Sequence, residues 1–363
     1  MRVVISAGDP SGDVRAAELV TELSRRVDIS VSGLGGPHLR ESGVSVLFDL
    51  EEYSVMGFAE VLTSLGRFRR LRNMIRRHIE EAAPDIVLLV DYPGFNIPLA
   101  RWASSRGFRV VYYISPQLWA WGRGRVRKIR GSVDLMITLF EFEVDFYREH
   151  GVRAFFAGHP LADSIPEPME TGLTGRIALL PGSRRQEVSM LAGPMADAYG
   201  LLREGGLVGS AAVAVSGSVP NELYDPILRM EGVSAAGSVR EALTGAAAAV
   251  VCSGTATLET AMWGIPFIVT YRTSRLTWSI ARLLVRGVRN IGMANLVAGE
   301  EYFPELLQNR VTPEGIAECI SSMLRVGPER NRALEGTTRV REALGEPGSS
   351  ARAAEALIRS AGE

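Results

Sequence analysis

The chain has 363 residues, 46% of them hydrophobic, enough apolar material for about two domains at the usual size of roughly 150 residues each. Forty basic residues stand against 41 acidic ones, a formal net charge of -1, so bulk charge argues against nucleic acid as a partner. The two cysteines, Cys252 and Cys319, have no ligand-spaced neighbours, which argues against a disulfide framework or a zinc site and makes a reducing cytoplasm the expected compartment.

The N-terminus reads at once as a strand, residues 2–6, with no charged and apolar leader before it, so export is not expected. Short β-branched and leucine-rich runs recur at 86–90, 109–114, 177–180, 211–215, 248–252 and 266–270, each followed by a longer helix-like segment. Runs apolar on both faces that alternate with helices predict parallel sheets in an α/β architecture. None of these runs approaches the roughly 20 residues of a membrane-spanning helix, so any membrane contact is expected at the surface. Residues 165–175, rich in Pro, Gly and Thr, are the candidate linker, and 348–361 has the Ala-rich spacing of a terminal helix. The expected organisation is two doubly wound, Rossmann-like domains, 1–165 and 166–345, flanking one cleft, with a C-terminal segment 346–363. Lys128 is the only lysine, which fits a compositional preference for Arg.

Ligands of doubly wound sheets gather at the carboxyl ends of strands, so the polar and glycine residues there carry the functional information. Ser6-Ala7-Gly8-Asp9-Pro10-Ser11-Gly12-Asp13 follows the first strand; its small residues admit a ligand to the backbone, and Ser11 or Asp13 could cap a helix over 14–25. Asp91, directly after the run 86–90 and before Tyr92-Pro93-Gly94-Phe95-Asn96, is placed either to accept a proton from a hydroxyl or to cap the next helix. Trp119 and Trp121, followed by Arg123, Arg125, Arg127, Lys128 and Arg130, could form a sugar platform beside phosphate donors or a packed Trp before a solvated basic helix.

Leu180-Pro181-Gly182-Ser183-Arg184 is a helix start suited to an anion, with Arg184 able to grip two phosphate oxygens, or a tight turn capped by Ser183. In Ser253-Gly254-Thr255-Ala256-Thr257-Leu258-Glu259 a second buried run meets a helix start; hydroxyls would receive a diphosphate, and Glu259 could accept from ribose hydroxyls. The chain lacks a Gly-x-x-x-x-Gly-Lys-Ser/Thr loop, a Gly-x-Ser-x-Gly elbow and an Asp-x-Asp pair, which disfavours a kinase-type NTPase, a serine hydrolase and sugar transfer through a metal-bound diphosphate.

These segments, taken together and in order with Gly35-Gly36-Pro37, Val55-Met56-Gly57, Gly158-His159-Pro160, Asn295-Leu296-Val297-Ala298-Gly299 and Glu305-Leu306-Leu307-Gln308, resemble lipid-A-disaccharide synthases over essentially the whole chain. The resemblance implies a GT-B fold and an inverting hexosyltransferase that needs neither metal nor cofactor. It implies UDP-2,3-diacylglucosamine as donor, 2,3-diacylglucosamine 1-phosphate as acceptor, and a β-1,6-linked tetraacyl disaccharide 1-phosphate plus UDP as products. Asp91 maps to the general base and Arg184 to stabilisation of the leaving diphosphate. Gly182, Ser183, Arg184, Glu187, Ser253, Gly254, Thr255, Thr257, Glu259, Asn295 and Gln308 map to the donor side, and Ser11, Gly12, Asp13, Asn96, Trp119 and His159 to the acceptor side.

Two departures stand out: the family signature Gly-Glu-x-Ser-Gly-Asp appears with Asp9 and Pro10, one methylene shorter in reach, and Gly94 leaves Asp91 as the only carboxylate of its loop. A UDP-sugar epimerase and a non-catalytic nucleotide- or lipid-binding protein are the alternatives on the same scaffold. The diacylated substrates turn the basic, amphipathic stretch 53–79 toward lipid, with Met56, Phe58, Val61, Leu62, Leu65, Phe68, Arg69 and Arg72 expected at acyl chains and headgroups of the inner membrane's cytoplasmic face. Residues 276–286 have similar character. Some family members are homodimers that exchange C-terminal segments, so the terminal helix is expected on the N-terminal domain or on a partner chain.

Overall fold

The computed structural model describes residues 1–50, 52, 61–119, 126–274, 278 and 290–362, with only the backbone described over 61–65. The chain divides into two compact units, Met1–Asp163 with Glu346–Glu363, and Ser164–Gly345. Among the described residues no helix is long and apolar enough to cross a membrane.

The first unit holds β1 (Arg2–Ala7), β2 (Ser30–Gly35), β3 (Ser45–Asp49), β4 (Ile86–Val90), β5 (Val110–Tyr113), β6 (Leu135–Thr138) and β7 (Ala154–Phe156). They form one parallel sheet in the order β3-β2-β1-β4-β5-β6-β7. Strand side chains alternate between faces, and both faces are covered. Val4, Val87, Leu89 and Tyr112 join one core with Leu71, Ile75 and Ile79 of the helix Val61–Ala82. Val3, Ile5, Leu88, Val111 and Ile137 join the opposite core with Leu19 and Leu23 of the helix Pro10–Ser24.

The same face receives Ala353, Ala354 and Leu357 of the C-terminal helix Ser349–Ala361. Its start is fixed by Asp163, which accepts bonds from the Gly348 and Ser349 amides and the Ser349 hydroxyl. Arg352 donates to the Ala157, Pro347 and Glu346 carbonyls.

The second unit holds β8 (Arg176–Leu180), β9 (Ser210–Ala214), β10 (Val233–Ala236), β11 (Ala248–Cys252), β12 (Phe267–Tyr271) and β13 (Glu305–Leu307), all parallel, in the order β10-β9-β8-β11-β12-β13. The Pro-rich stretch 165–175 begins this unit, with the Met169 amide donating to the Trp263 carbonyl. Each sheet reverses its winding once, between β1 and β4 and between β8 and β11. Each reversal leaves its own crevice beyond the carboxyl ends of that sheet's two central strands, the place where such sheets hold ligands.

Candidate active site

In the first unit the reversal brings together Asp9, two residues past β1, and Asp91, the residue after β4. Asp91 and Tyr92 both adopt left-handed backbone angles, φ 42° and 50°, a conformation that non-glycine residues hold only when their surroundings enforce it. Asn96 is the enforcer: its Nδ2 donates to the carbonyls of Ser6, Val90 and Asp91, and its Oδ1 accepts from the Ser6 hydroxyl at 2.8 Å. Tyr112 donates its hydroxyl to the Asp91 carbonyl at 2.6 Å. The Tyr92 ring lies where a side chain on Gly8 would be, 2.0 Å from an ideal Cβ, so only glycine fits there. Burial first, and the nearby Asp9 charge second, push the Asp91 carboxyl up to about 6. The N-cap of the helix Pro93–Ser105 is Tyr92 rather than Asp91, and the Tyr92 amide, as a donor to the Asp91 carboxyl, opposes the upward shift.

Several acceptor-side candidates serve the scaffold instead. Helix Pro10–Ser24 begins four residues earlier than the sequence suggests and is capped by Asp9, which accepts from the Gly12 amide at 2.8 Å and the Ser11 hydroxyl at 2.6 Å. Asp13 is buried and accepts from the amides of Gly36, His38 and Leu39, so its oxygens are spent on the start of the helix Pro37–Glu41. Asn96 is likewise consumed within the fold, and it acts by shaping the Asp91 turn.

His159 is buried, its ring 5.3 Å from that of Phe140, with Nδ1 accepting from the Leu161 amide; burial lowers it to about 3, so it is neutral. Trp119 is half-buried, its indole N–H donating to Glu143 at 3.0 Å. Of the lipid-contact candidates, Phe68 packs on the core beside Tyr92, ring centroids 6.4 Å apart, Arg69 is exposed and Arg72 half-buried. Met56, Phe58, Trp121, Arg123 and Arg125 lie outside the described residues, as do the side chains of Val61, Leu62 and Leu65 and all of 276–286 except Trp278.

In the second unit a pocket of about 370 Å³ opens at the β8/β11 reversal. It gathers Gly182, Ser183, Arg184 and Glu187 from the turn after β8 and Ser253, Gly254 and Thr255 from the turn after β11. Gly254 sits at φ 151°, ψ -161°, a region open only to glycine, and this lets the helix Thr255–Met262 start at the pocket without a side chain over its first amides. At the other turn the N-cap is Arg184, not Ser183. Glu187 reaches back so that one oxygen accepts from the Ser183 and Arg184 amides at 3.1 and 3.2 Å, and the other pairs with Arg184 at 3.0 Å. An anion already lies at this helix start, supplied by the chain, while the Arg184 side chain stays 82% exposed.

Four donor-side candidates are not in the pocket lining. Thr257 is buried, donating to the Gly254 carbonyl and accepting from the Ala294 amide. Asn295, 0% exposed, spends its amide on the Phe303 carbonyl, the Glu305 carboxylate and the Tyr302 and Phe303 amides. Gln308 pairs with the main chain of Thr273, donating at 3.0 Å and accepting at 3.3 Å. Glu259 is half-buried one turn inside its helix, its carboxyl raised by burial.

A family model described as lipid-A-disaccharide synthetase matches residues 3–358. The chain belongs to this family. Similar relatives carry the name lipid-A-disaccharide synthase: one from Myxococcus xanthus is 38% identical, with 98% of this chain and 97% of the relative covered. One from Geobacter metallireducens is 39% identical, covering 100% and 98%. Among solved structures, the calicheamicin glycosyltransferase CalG4 matches with a TM-score of 0.64 at 16% identity, covering 100% of this chain and 98% of that one. A UDP-GlcNAc 2-epimerase from Neisseria meningitidis gives the same TM-score at 13% identity, covering 99% and 100%. Such likenesses establish the GT-B fold, and family membership makes the protein a hexosyltransferase.

For this lipid-A-disaccharide synthetase family member the pocket also holds residues that motif reading missed. Ser216 lies beyond β9, and Gly237 and Ser238 lie beyond β10. Ser238 caps its helix by accepting from the Glu241 amide, and Glu241 accepts from the Gly237 amide, a Ser-x-x-Glu spacing that was available in the sequence. Ser216 offered only a hydroxyl after a short apolar run.

Proposed function

We propose that the protein transfers 2,3-diacylglucosamine from its UDP donor to the primary hydroxyl of 2,3-diacylglucosamine 1-phosphate, releasing UDP. Family membership supports the reaction, and the raised carboxyl of Asp91 is the observation that carries the chemistry. A base near 6 is ionised at neutral pH yet still accepts a proton as the hydroxyl attacks, whereas an ordinary exposed carboxylate is too weak. As Asp91 takes the proton, the acceptor oxygen bonds to the anomeric carbon, and the bond to the UDP oxygen breaks with its electron pair leaving on the diphosphate. Inversion follows from attack opposite the leaving group.

The diphosphate is assigned to the second unit's pocket. The first amides of Thr255–Met262, the Thr255 hydroxyl and the exposed Arg184 guanidinium meet the charge that grows on departure, while Ser253 lines the pocket with its hydroxyl donating to the Ile291 carbonyl at 3.1 Å. Glu259, one turn further, is assigned to the ribose hydroxyls. The lipid-borne substrates favour a peripheral position on the cytoplasmic face of the inner membrane, and a homodimer is included in this reading. Purified protein incubated with both substrates, with and without chelator, should yield the tetraacyl disaccharide 1-phosphate by mass spectrometry in both arms. Loss of product under chelator would sink the metal-independent assignment, and no product in either arm would sink the reaction.

A further inference from the structure

One buried carboxylate at the carboxyl edge of the first sheet has no part in the chemistry above. Glu143, in the first turn of the helix Glu141–Glu149 that follows β6, is 1% exposed. A carboxylate taken out of water is costly unless hydrogen bonds hold it. One oxygen accepts from the Trp119 indole N–H at 3.0 Å and the other from the Phe140 amide at 3.3 Å. The amide bond alone is a helix-start contact that a surface cap supplies without burial. The indole bond is different, because it reaches across to the loop after β5.

That loop borders the catalytic turn. β5 lies beside β4, and the Asp91 amide donates to the Tyr113 carbonyl at 3.0 Å. The helix carrying Glu143 grips the loop twice, since Tyr147, one turn on, donates its hydroxyl to the Pro116 carbonyl at 2.6 Å. Phe142 meets the Trp119 ring edge-on, centroids 5.0 Å apart at 86°. The indole is therefore fixed in direction by Glu143 and in tilt by Phe142, yet only half-buried, the condition for a flat apolar wall offered to a ligand.

We propose that Glu143 is a positioning residue for the acceptor, holding the Trp119 indole as the wall against which the acceptor's glucosamine ring stacks beside Asp91. This rests on the acceptor reading given above. Burial raises the Glu143 carboxyl to about 7, opposed by the Ser115 hydroxyl, the Trp119 indole and the Phe140 and Leu139 amides. Tyr147, raised by burial and by the Glu143 charge, stays neutral, and so does His159 against Phe140. Glu143 is thus the group in this cluster that gains charge near neutrality, and its bond to the indole tightens as it does.

The test measures kcat and the KM of each substrate for wild type, E143Q, E143A and W119F, and follows Trp119 emission as wild type minus W119F from about pH 5.5 to about pH 8.5. Loss of one charge-assisted bond in E143A should raise the acceptor KM roughly tenfold while the donor KM stays within about twofold. E143Q, which keeps an accepting oxygen, should restore most of the acceptor KM and abolish the change of Trp119 emission with pH. An unchanged acceptor KM in E143A and W119F overturns the proposal, as does a loss shared equally by both substrates. If E143A does not fold, W119F carries the acceptor KM readout and E143Q the pH dependence of Trp119 emission. A wild type that makes no disaccharide overturns the underlying acceptor reading, whereas an active wild type with an insensitive acceptor KM overturns only the role of Glu143.

Discussion

At the β1/β4 reversal the strand ends hold two carboxylates in a half-buried setting, while at β8/β11 they present amides, hydroxyls and one exposed guanidinium. The fold geometry is the same in both. What differs is the charge each turn can tolerate. Burial beside a second carboxylate keeps Asp91 basic, because among the described residues no cation offsets the loss of water. The second turn is built for an anion, and Glu187 already lies on two of its amides. In the proposed reaction, one crevice therefore supplies the proton acceptor and the other the seat for the leaving diphosphate.

Substitutions at four positions and one titration probe that contrast, beginning with the largest effect. Asp91→Asn should lower kcat by roughly a thousandfold, the worth of a positioned base, with both KM values little changed; near-normal turnover would remove the base from the first crevice. Arg184→Ala should lower kcat/KM by about a hundredfold, with partial recovery in Arg184→Lys, because the lost guanidinium acts on developing charge. Calorimetry of UDP binding separates its two roles: an equal loss of UDP affinity would mean that Arg184 only binds.

Asn295→Ala should destabilise the second unit by on the order of 2 kcal/mol, since four buried groups lose their partner, while the folded fraction keeps its donor KM. A raised donor KM at unchanged stability would return Asn295 to the binding site. Next comes pH. Below about 6 the rate constant kcat/KM should fall about tenfold per unit as Asp91 takes up its proton, and it should level off above that. Stability moves the opposite way. The folded carboxyl holds its proton to about 6 and the ordinary one releases it near 3.8, so this stabilising contribution is full below 3.8 and is lost as pH rises through 6. Asp91→Asn should accordingly be more stable than wild type at about pH 8, by on the order of 1 to 2 kcal/mol, measured as the denaturation midpoint. The smallest effect is Ser216→Ala, roughly threefold in donor KM for one peripheral hydroxyl.

Seven strands were legible as apolar runs because both their faces are buried, as in β4 and β11, where every residue is interior. β2 is interrupted by Ser and Gly, β10 is half exposed, and β7 and β13 are three residues long, so their patterns fall below what periodicity can resolve. The turns after β1, β4, β8 and β11 were legible as sites because Gly, Ser, Asp and Thr crowd there. Which of their side chains face a ligand was not. Asp9, Asp13 and Asp91 are chemically alike, yet one caps a helix, one closes another helix start across the sheet edge and one is left to ionise.

By itself the sequence determined the parallel α/β class, the places where strands end and the family, because these depend on local periodicity and on residue types in order. Only the tertiary structure decided that Asn96 locks Asp91 in a left-handed turn, that Glu143 reaches Trp119, and that Asn295 and Thr257 belong to the scaffold. A polar side chain's role depends on which donors and acceptors surround it once water is gone, and those neighbours come from strands and loops far apart in the chain.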